Sequence, residues 1–151
     1  MFAFYVLSSG HIFSEILIDD SELDLSINND WEVIKKQGGY GPTFLKSKVR
    51  NGSPVRFSPH MEHEGKYKVY TYYHMRKDIS PAITYSISNG IDSWTRVIHK
   101  DSVRIEGQTT GEWIELGTYN FQKSSMPYIE ISTGDTSGAV IADAVLFIPV
   151  K

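Results

Sequence analysis

The sequence has 151 residues and no cysteine, with 15 basic and 18 acidic side chains and a net charge of -3 at pH 7. Its length predicts a single domain that buries a core without cross-links. The lack of cysteine excludes disulfides and thiolate metal sites, and the evenly mixed charges predict no nucleic-acid partner. The opening MFAFYVLSSGHIF lacks a positively charged start, and its apolar run is too short for a signal peptide or a membrane span. Neither a signal peptide nor membrane insertion is therefore predicted.

The first third of the chain carries few clear elements. The opening MFAFYVL fits a strand, so residues 1–18 are predicted to be an N-terminal extension or an extra strand, and residues 19–151 the main domain. The segment DWEVIKKQG is the best helix candidate, with Asp30 as a cap and Gly38 as the end. Its valine-isoleucine pair fits a strand equally well, so both alternatives stay open.

The rest of the chain is typical of β-strands. KYKVYTYYHM places Tyr67 and Val69 on one face and Tyr70 and Tyr72 on the other, and AITYSIS alternates in the same way before a turn. WIELGTYNF, YIEIS and AVIADAVLFI follow at spacings of about ten residues, a pattern typical of sandwiches and barrels. We therefore predict an all-β fold, an antiparallel β-sandwich, in which the apolar final segment is a buried core strand.

Several motifs resemble the golvesin C-terminal-like domains, which also occur as a carbohydrate-binding-like domain of xanthan lyases. They are DDSELDLSINNDWEV, EGKYKVYTYY and the closing pair GEWIELGTYNF and GAVIADAVLF, and the resemblance covers roughly residues 19 to 148. The chain departs from the family pattern at Leu146, where arginine is usual, and at Tyr73-His74-Met75, where an aromatic pair and proline are usual. The resemblance implies a jelly-roll-like form of the sandwich.

The resemblance also implies a kind of function. Such domains are accessory modules of secreted or surface bacterial proteins, so we expect an extracellular or cell-surface location and no enzymatic activity. The expected partners are a polysaccharide or oligosaccharide and the rest of a larger parent protein. The alternative is a structural or protein-interaction sandwich that has no sugar site. Fold resemblance alone does not decide between them.

Aromatic side chains in loops are the candidates for ligand contacts, because sugar rings pack on aromatic faces and binding residues concentrate in loops. Trp94 lies in the polar turn NGIDSWTRV with Asp92 and Arg96, and Tyr40 lies between glycines in GGYGP. Trp31 precedes an apolar pair and is a further candidate. For each ring the alternative is that it covers an edge of the core.

The acidic stretch after residue 18 is the candidate ion site. Calcium takes about six to eight oxygen ligands, mostly from carboxylates and loop carbonyls. Asp19 and Asp20 supply carboxylates, and Asp143 approaches them if the first and last strands pair. A structural calcium is thus one interpretation, and a solvated acidic loop is the simpler one; no other cofactor is predicted.

Other conspicuous side chains are assigned no function. His60, His63 and His74 lack the spacing of a zinc site and are predicted to be surface residues. Trp113 and Phe121 alternate within a predicted strand and are assigned to the core.

Overall fold

Among the residues that the structure describes, the fold consists of twelve β-strands and two short 3₁₀ turns. The computed structural model describes residues 2–8, 11–26, 28–35, 39–106, 111–123, 125–134 and 137–151. The 3₁₀ turns are Asp20–Glu22 and Lys100–Ser102. The strands are β1 Phe2–Ser8, β2 His11–Asp19, β3 Trp31–Ile34, β4 Phe44–Ser47, β5 Val55–Phe57, β6 Gly65–His74, β7 Ala82–Ser88, β8 Ser93–His99, β9 Gly111–Phe121, β10 Tyr128–Ile131, β11 Ile141–Ala142 and β12 Ala144–Pro149.

The strands form three antiparallel sheets around one core. The five-stranded sheet has the order β1-β2-β12-β6-β9, the four-stranded sheet β5-β10-β7-β8, and the three-stranded sheet β11-β4-β3. Buried side chains from all three belong to a single apolar cluster. The predicted all-β sandwich is thereby confirmed. Among the described residues, none lies in a helix long and apolar enough to cross a membrane.

The alternation read from the sequence decides which faces are buried. In β6, Tyr67, Val69, Thr71 and Tyr73 are buried, and the residues that alternate with them, Lys68, Tyr70 and Tyr72, are partly exposed. The final strand is a core strand as predicted, with Val145 and Phe147 at 0% exposure. It lies between β2 and β6, so its burial follows from its central place in the sheet.

Two sequence predictions about secondary structure need correction. The helix candidate is wrong, because residues Trp31–Ile34 form β3, which pairs with β4. Its predicted end, Gly38, lies outside the described residues. The segment AVIADAVLFI was predicted to be one strand, but it divides at Asp143 into β11 and β12, which belong to different sheets. Asp143 turns its backbone out of the ladder, and its carbonyl accepts a hydrogen bond from the Asp20 amide at 2.7 Å.

The N-terminal residues form a hairpin. β1 pairs with β2 over its full length, from Phe2 opposite Leu17 to Ser8 opposite His11. β2 in turn pairs with β12, so the end of this hairpin is part of the five-stranded sheet.

Candidate functional site

Three buried aspartates meet at the junction of the second and last strands. Asp19 ends β2, Asp20 opens the 3₁₀ turn that follows, and Asp143 directly precedes β12. One carboxylate oxygen from each lies within 4.8 Å of the others, and the three residues are 4%, 2% and 0% exposed. They converge because β2 pairs with β12, which places Ala144 opposite Asp19. We call these three residues the acidic cluster.

The turn after β2 fixes two members of the cluster. Asp19 caps it, since Oδ2 accepts the Ser21 amide at 3.2 Å, while the Glu22 carboxylate accepts the Asp19 amide at 2.8 Å. This reciprocal arrangement is a capping box. It fixes the backbone of Asp19 and Asp20 at the end of β2, the strand that pairs with β12.

The acidic cluster has unused hydrogen-bonding capacity. Within the described part of the chain, the Oδ1 atoms of Asp19, Asp20 and Asp143 are buried and have no hydrogen-bond partner. Burial is the main effect that raises the pKa of Asp20 to about 7; a hydrogen bond from Thr43 opposes it, and the charges of the other two aspartates add to it. Converging carboxylate oxygens of this kind fit a hard cation such as calcium or magnesium.

His74 is part of the same neighbourhood, contrary to the prediction that it lies on the surface. It is 3% exposed, and its Nε2 lies 2.7 Å from Oδ2 of Asp143. His74 is buried because the chain before β4 covers the end of β6, and its ring packs at 4.7 Å from that of Phe44.

Residues 39–43, which we call the glycine loop, lie across the acidic cluster. The Tyr40 amide donates to Oδ2 of Asp143 at 2.7 Å, and the Thr43 hydroxyl donates to Oδ2 of Asp20 at 2.8 Å. The loop approaches so closely that a Cβ on Gly41 would lie 3.0 Å from Oδ1 of Asp19. Each aspartate therefore has its own contact with this loop.

The ring of Tyr40 extends from this loop to two other aromatic rings. Its centroid lies 5.9 Å from that of Tyr72 and 5.2 Å from that of Trp113, and these two rings are 5.3 Å apart. All three contacts are edge-to-face, the arrangement that aromatic pairs prefer. Tyr40 is 43% exposed, and the other two rings are partly exposed. We call Tyr40, Tyr72 and Trp113 the aromatic cluster.

A separate aromatic pair lies where the edges of the two larger sheets meet. Trp94 on β8 and Tyr119 on β9 have ring centroids 4.7 Å apart and planes inclined by 37°. Trp94 remains 37% exposed. The Tyr119 hydroxyl donates to the carbonyl of Leu116 at 2.6 Å, which fixes its ring. The pair lines a groove of about 400 Å³, which we call the Trp94 groove; its other lining residues are Asn89, Ile91, Asp92, Thr118, Asn120 and Gln122.

A comparison with protein families identifies the fold at the level of sequence. The model of the golvesin C-terminal domain matches residues 16–149. The chain belongs to the golvesin C-terminal domain family. The resemblance read from its motifs over residues 19 to 148 is thereby confirmed. Among curated proteins, no sequence match was found for this golvesin C-terminal domain.

Solved structures similar to this golvesin C-terminal domain include a lyase, a galactanase and a mannanase. A Paenibacillus xanthan lyase matches with a TM-score of 0.71 and 21% identity, over 91% of this chain and 13% of the lyase. An exo-β-1,3-galactanase from Phanerochaete chrysosporium matches with a TM-score of 0.61 and 14% identity, over 91% of this chain and 30% of the galactanase. A ruminal endo-β-1,4-mannanase matches with a TM-score of 0.55 and 12% identity, over 90% of this chain and 26% of the mannanase. At these identities the likeness shows the fold, and the golvesin C-terminal domain spans only a small part of each enzyme.

The five ligand candidates from the sequence fall in three places. Trp94 and Asp92 line the Trp94 groove, and Arg96 follows on the same face of β8, where its charge partly offsets the effect of burial that raises the pKa of Tyr119. Tyr40 belongs to the aromatic cluster. Trp31 belongs to the core instead: it is 4% exposed, and its Nε1 donates to the carbonyl of Ser53 at 2.7 Å.

Sequence reasoning missed three ring partners of the predicted contacts. Tyr119 was read only as part of a strand, and Trp113 was assigned to the core, whereas it is partly exposed beside Tyr72. The third missed ring is Tyr72. Alternation within β6 carried a signal for it, because Tyr72 lies on the opposite face from the buried Tyr73 and therefore points away from the core. Register, which the sequence does not give, places Tyr72 opposite Trp113.

Proposed function

We propose that this golvesin C-terminal domain is a non-catalytic accessory module that binds an extracellular polysaccharide through the Trp94 groove. The observation that carries the proposal is the exposed Trp94 ring beside Tyr119, with polar side chains along the same groove. A pyranose ring offers C–H groups to such an aromatic face and hydroxyls to a polar rim. Ligand sites of this kind combine apolar surface with a few placed polar groups.

The similar structures support an accessory role. The three enzymes named above act on xanthan, galactan or mannan by their names, and the matched region is a minor part of each chain. A domain that recurs beside different active sites is expected to serve attachment. From this we infer an extracellular or cell-surface location in a larger parent protein.

The burial of the acidic cluster also supports a non-catalytic role. Catalysis on a polymer needs reactive groups that the substrate reaches, and the pair His74 and Asp143 is 3% and 0% exposed. The Asp143 carboxylate is further occupied by the Tyr40 amide. These groups are placed to organise the interior of the domain.

Calorimetric titration with xanthan, β-1,3-galactan and β-1,4-mannan oligosaccharides tests the groove. We expect saturable binding of at least one, in the micromolar to millimolar range. Trp94→Ala should weaken that binding about tenfold or more, because a central aromatic contact usually supplies much of the binding energy. Trp94→Phe should retain a large part of it.

Val97→Ala is the matched control for the groove. Val97 is also exposed, at 44%, and lies on the same strand as Trp94, but it alternates to the opposite face. Unchanged affinity in Val97→Ala, with both variants folded by circular dichroism, would assign the loss to the groove. Equal affinity of Trp94→Ala and the wild-type chain would contradict the proposal.

We further propose that the acidic cluster binds a divalent cation, with calcium favoured. The three buried Oδ1 atoms without partners support this, since a buried carboxylate needs compensation for its lost hydration. All three ligands are carboxylate oxygens. Because Asp19 ends β2 and Asp143 precedes β12, a cation bound to both would join these two strands. Its role is then structural.

Thermal unfolding in calcium and in chelator tests the cation. At a hundredfold excess over Kd, binding to the folded state adds ~2.7 kcal/mol, which corresponds to a rise in Tm of roughly 5–10 °C for a domain of this size. Asp143→Asn should remove most of this rise, and Asp24→Asn, in an exposed residue of the same acidic stretch, should keep it. A Tm that is equal in calcium and in chelator would contradict the proposal.

The edge of the four-stranded sheet favours one alternative. Val97 on β8 is 44% exposed and Ile91 in the turn before it is 65% exposed, and β8 pairs on one side only among the described residues, so apolar surface lies along this edge. Such edges are docking sites for other chains. A blank glycan screen with folded protein would favour this interaction role over polysaccharide binding.

A further inference from the structure

The acidic cluster and the aromatic cluster lie side by side on the five-stranded sheet. Ala144 is opposite Asp19, and the residue after it, Val145, is opposite Thr71, so the same row continues through Tyr72. Trp113 is in turn opposite Tyr72. One cross-strand row thus runs from a carboxylate to two aromatic rings, separated by the small side chain of Ala144.

The glycine loop joins the two clusters. Its backbone and side-chain hydrogen bonds go to Asp143 and Asp20, and a Cβ on Gly41 would lie 3.0 Å from Oδ1 of Asp19. Its single large side chain, Tyr40, packs on the aromatic rings. The residue that donates the amide to Asp143 is therefore the residue that completes the aromatic cluster.

The hold on this loop depends on the acidic cluster. Residues 39–43 form no strand and no helix, so their order rests on the contacts with the aspartates and on the packing of Tyr40. Three neighbouring carboxylates repel one another unless a cation or protons neutralise them. A bound cation would keep all three in the positions where the loop meets them.

We propose that a cation in the acidic cluster fixes residues 39–43, and that the aromatic cluster is thereby a second, cation-dependent contact surface for the polysaccharide. This inference rests on the proposed function. Trp113 and Tyr119 are six positions apart on the edge strand β9, about 20 Å at the usual rise per residue, and the register shift between them places their side chains on opposite faces of the sheet. A glycan chain that contacts both surfaces would therefore pass around this edge. The Trp94 groove itself does not involve the cation.

Hydrogen exchange of the intact chain, without glycan, tests the coupling. Calcium should slow exchange of the amides in residues 39–43 by at least about tenfold relative to chelator, because closing contacts raise the cost of local opening. Tyr40→Ala should retain much of this effect, since its amide still donates to Asp143, and Asp143→Asn should lose it. Bound calcium that leaves exchange in this loop unchanged would overturn the inference.

Affinity measurements test the second surface. The polysaccharide that binds the wild-type chain should bind about threefold or more weakly in chelator, as expected for the loss of peripheral aromatic contacts. Tyr40→Ala should bind with that weaker affinity in both buffers, and Trp94→Ala should keep a dependence on calcium. Val33→Ala, at an exposed site on β3, is the control and should behave as wild type.

The two proposals fail in different ways. A chain that binds glycan through Trp94, with the same affinity in calcium and in chelator, overturns the second surface and leaves the proposed function standing. A wild-type chain that binds none of the polysaccharides contradicts the proposed function, and the second surface falls with it.

Discussion

Asp143 shows how much one residue contributes to this domain. Its carbonyl accepts the Asp20 amide, its Oδ2 accepts the Tyr40 amide and lies 2.7 Å from Nε2 of His74, and its buried Oδ1 has no hydrogen-bond partner among the described residues. It also marks the point at which the chain leaves one sheet for another. Asp143, a polar residue in an otherwise apolar segment, therefore connects two sheets to the glycine loop.

Asp20 predicts a dependence of stability on pH in the metal-free domain. Its pKa rises from 3.8 to about 7 on folding, chiefly through burial. Between about pH 4 and pH 7 the folded state therefore holds a proton that the unfolded state releases, and the unfolding free energy contributed by this group falls as pH rises. We expect wild type in chelator to lose stability relative to Asp20→Asn from pH 5 to pH 8.

Urea unfolding in chelator at the two pH values measures this difference. Asp20→Asn removes the titrating group and keeps its size, so its curve supplies the reference. Asp24→Asn, at an exposed position, should follow wild type. Identical pH dependence in wild type and Asp20→Asn would show that Asp20 does not retain its proton in the folded domain.

At the scale of elements, the pairing of β6 with β9 contains the main irregularity. The register shifts between Val69 and Tyr70, and Gly117 on β9 has φ +129°. A Cβ at Gly117 would lie 2.5 Å from the Tyr119 hydroxyl. This bulge returns Tyr119 to the inner face, where its ring meets that of Trp94.

Gly117→Ala is expected to destabilise the fold by ~1–3 kcal/mol, since alanine is strained in this backbone conformation. It should also displace Tyr119 and weaken glycan binding at the Trp94 groove. Gly65→Ala is the control, because Gly65 has φ +143° but no atom within 4 Å of the new Cβ. Chemical denaturation of both variants separates backbone strain, which both share, from the collision with Tyr119, which only Gly117→Ala has. Equal losses in unfolding free energy would contradict the collision.

The final strand predicts a second effect at this scale. Phe147 is fully buried between β2 and β6 and lies 5.6 Å from the Phe121 ring. Phe147→Ala should lower the unfolding free energy by ~3–5 kcal/mol, through lost burial and the cavity left behind. Val150→Ala, two residues after Ile148 and 43% exposed, should change it by less than about 0.5 kcal/mol. A small loss for Phe147→Ala would argue against its place in the core.

At the scale of the whole molecule, the three sheets share one apolar cluster. The first and last parts of the chain are also joined through β2 and β12. We therefore expect cooperative unfolding, in which tryptophan fluorescence and far-ultraviolet circular dichroism give coincident transitions. Trp31 reports on the three-stranded sheet and Trp113 on the five-stranded sheet. Separate transitions would show that the sheets unfold independently.

Local pattern determined the strands and the fold class. Alternation in KYKVYTYYHM placed Tyr67 and Val69 on one face of a strand, and the structure buries both, because side chains in a strand point alternately to its two faces. The order of the motifs identified the family. The short segment at Trp31 was the exception, since four residues give too few positions to distinguish the period of a helix from that of a strand.

Only the tertiary structure decided which distant residues meet. The sequence named Asp19, Asp20 and Asp143 on the condition that the first and last strands pair. In the structure the second strand, β2, pairs with the last, β12, across more than a hundred residues, and this pairing brings the aspartates together. Nothing local predicted that His74 would be buried against Asp143, or that the Tyr40 loop would cover the aspartates. Pattern along a chain reports which face of an element is apolar, whereas register and sheet order set the neighbours across strands, and a candidate site is made of those neighbours.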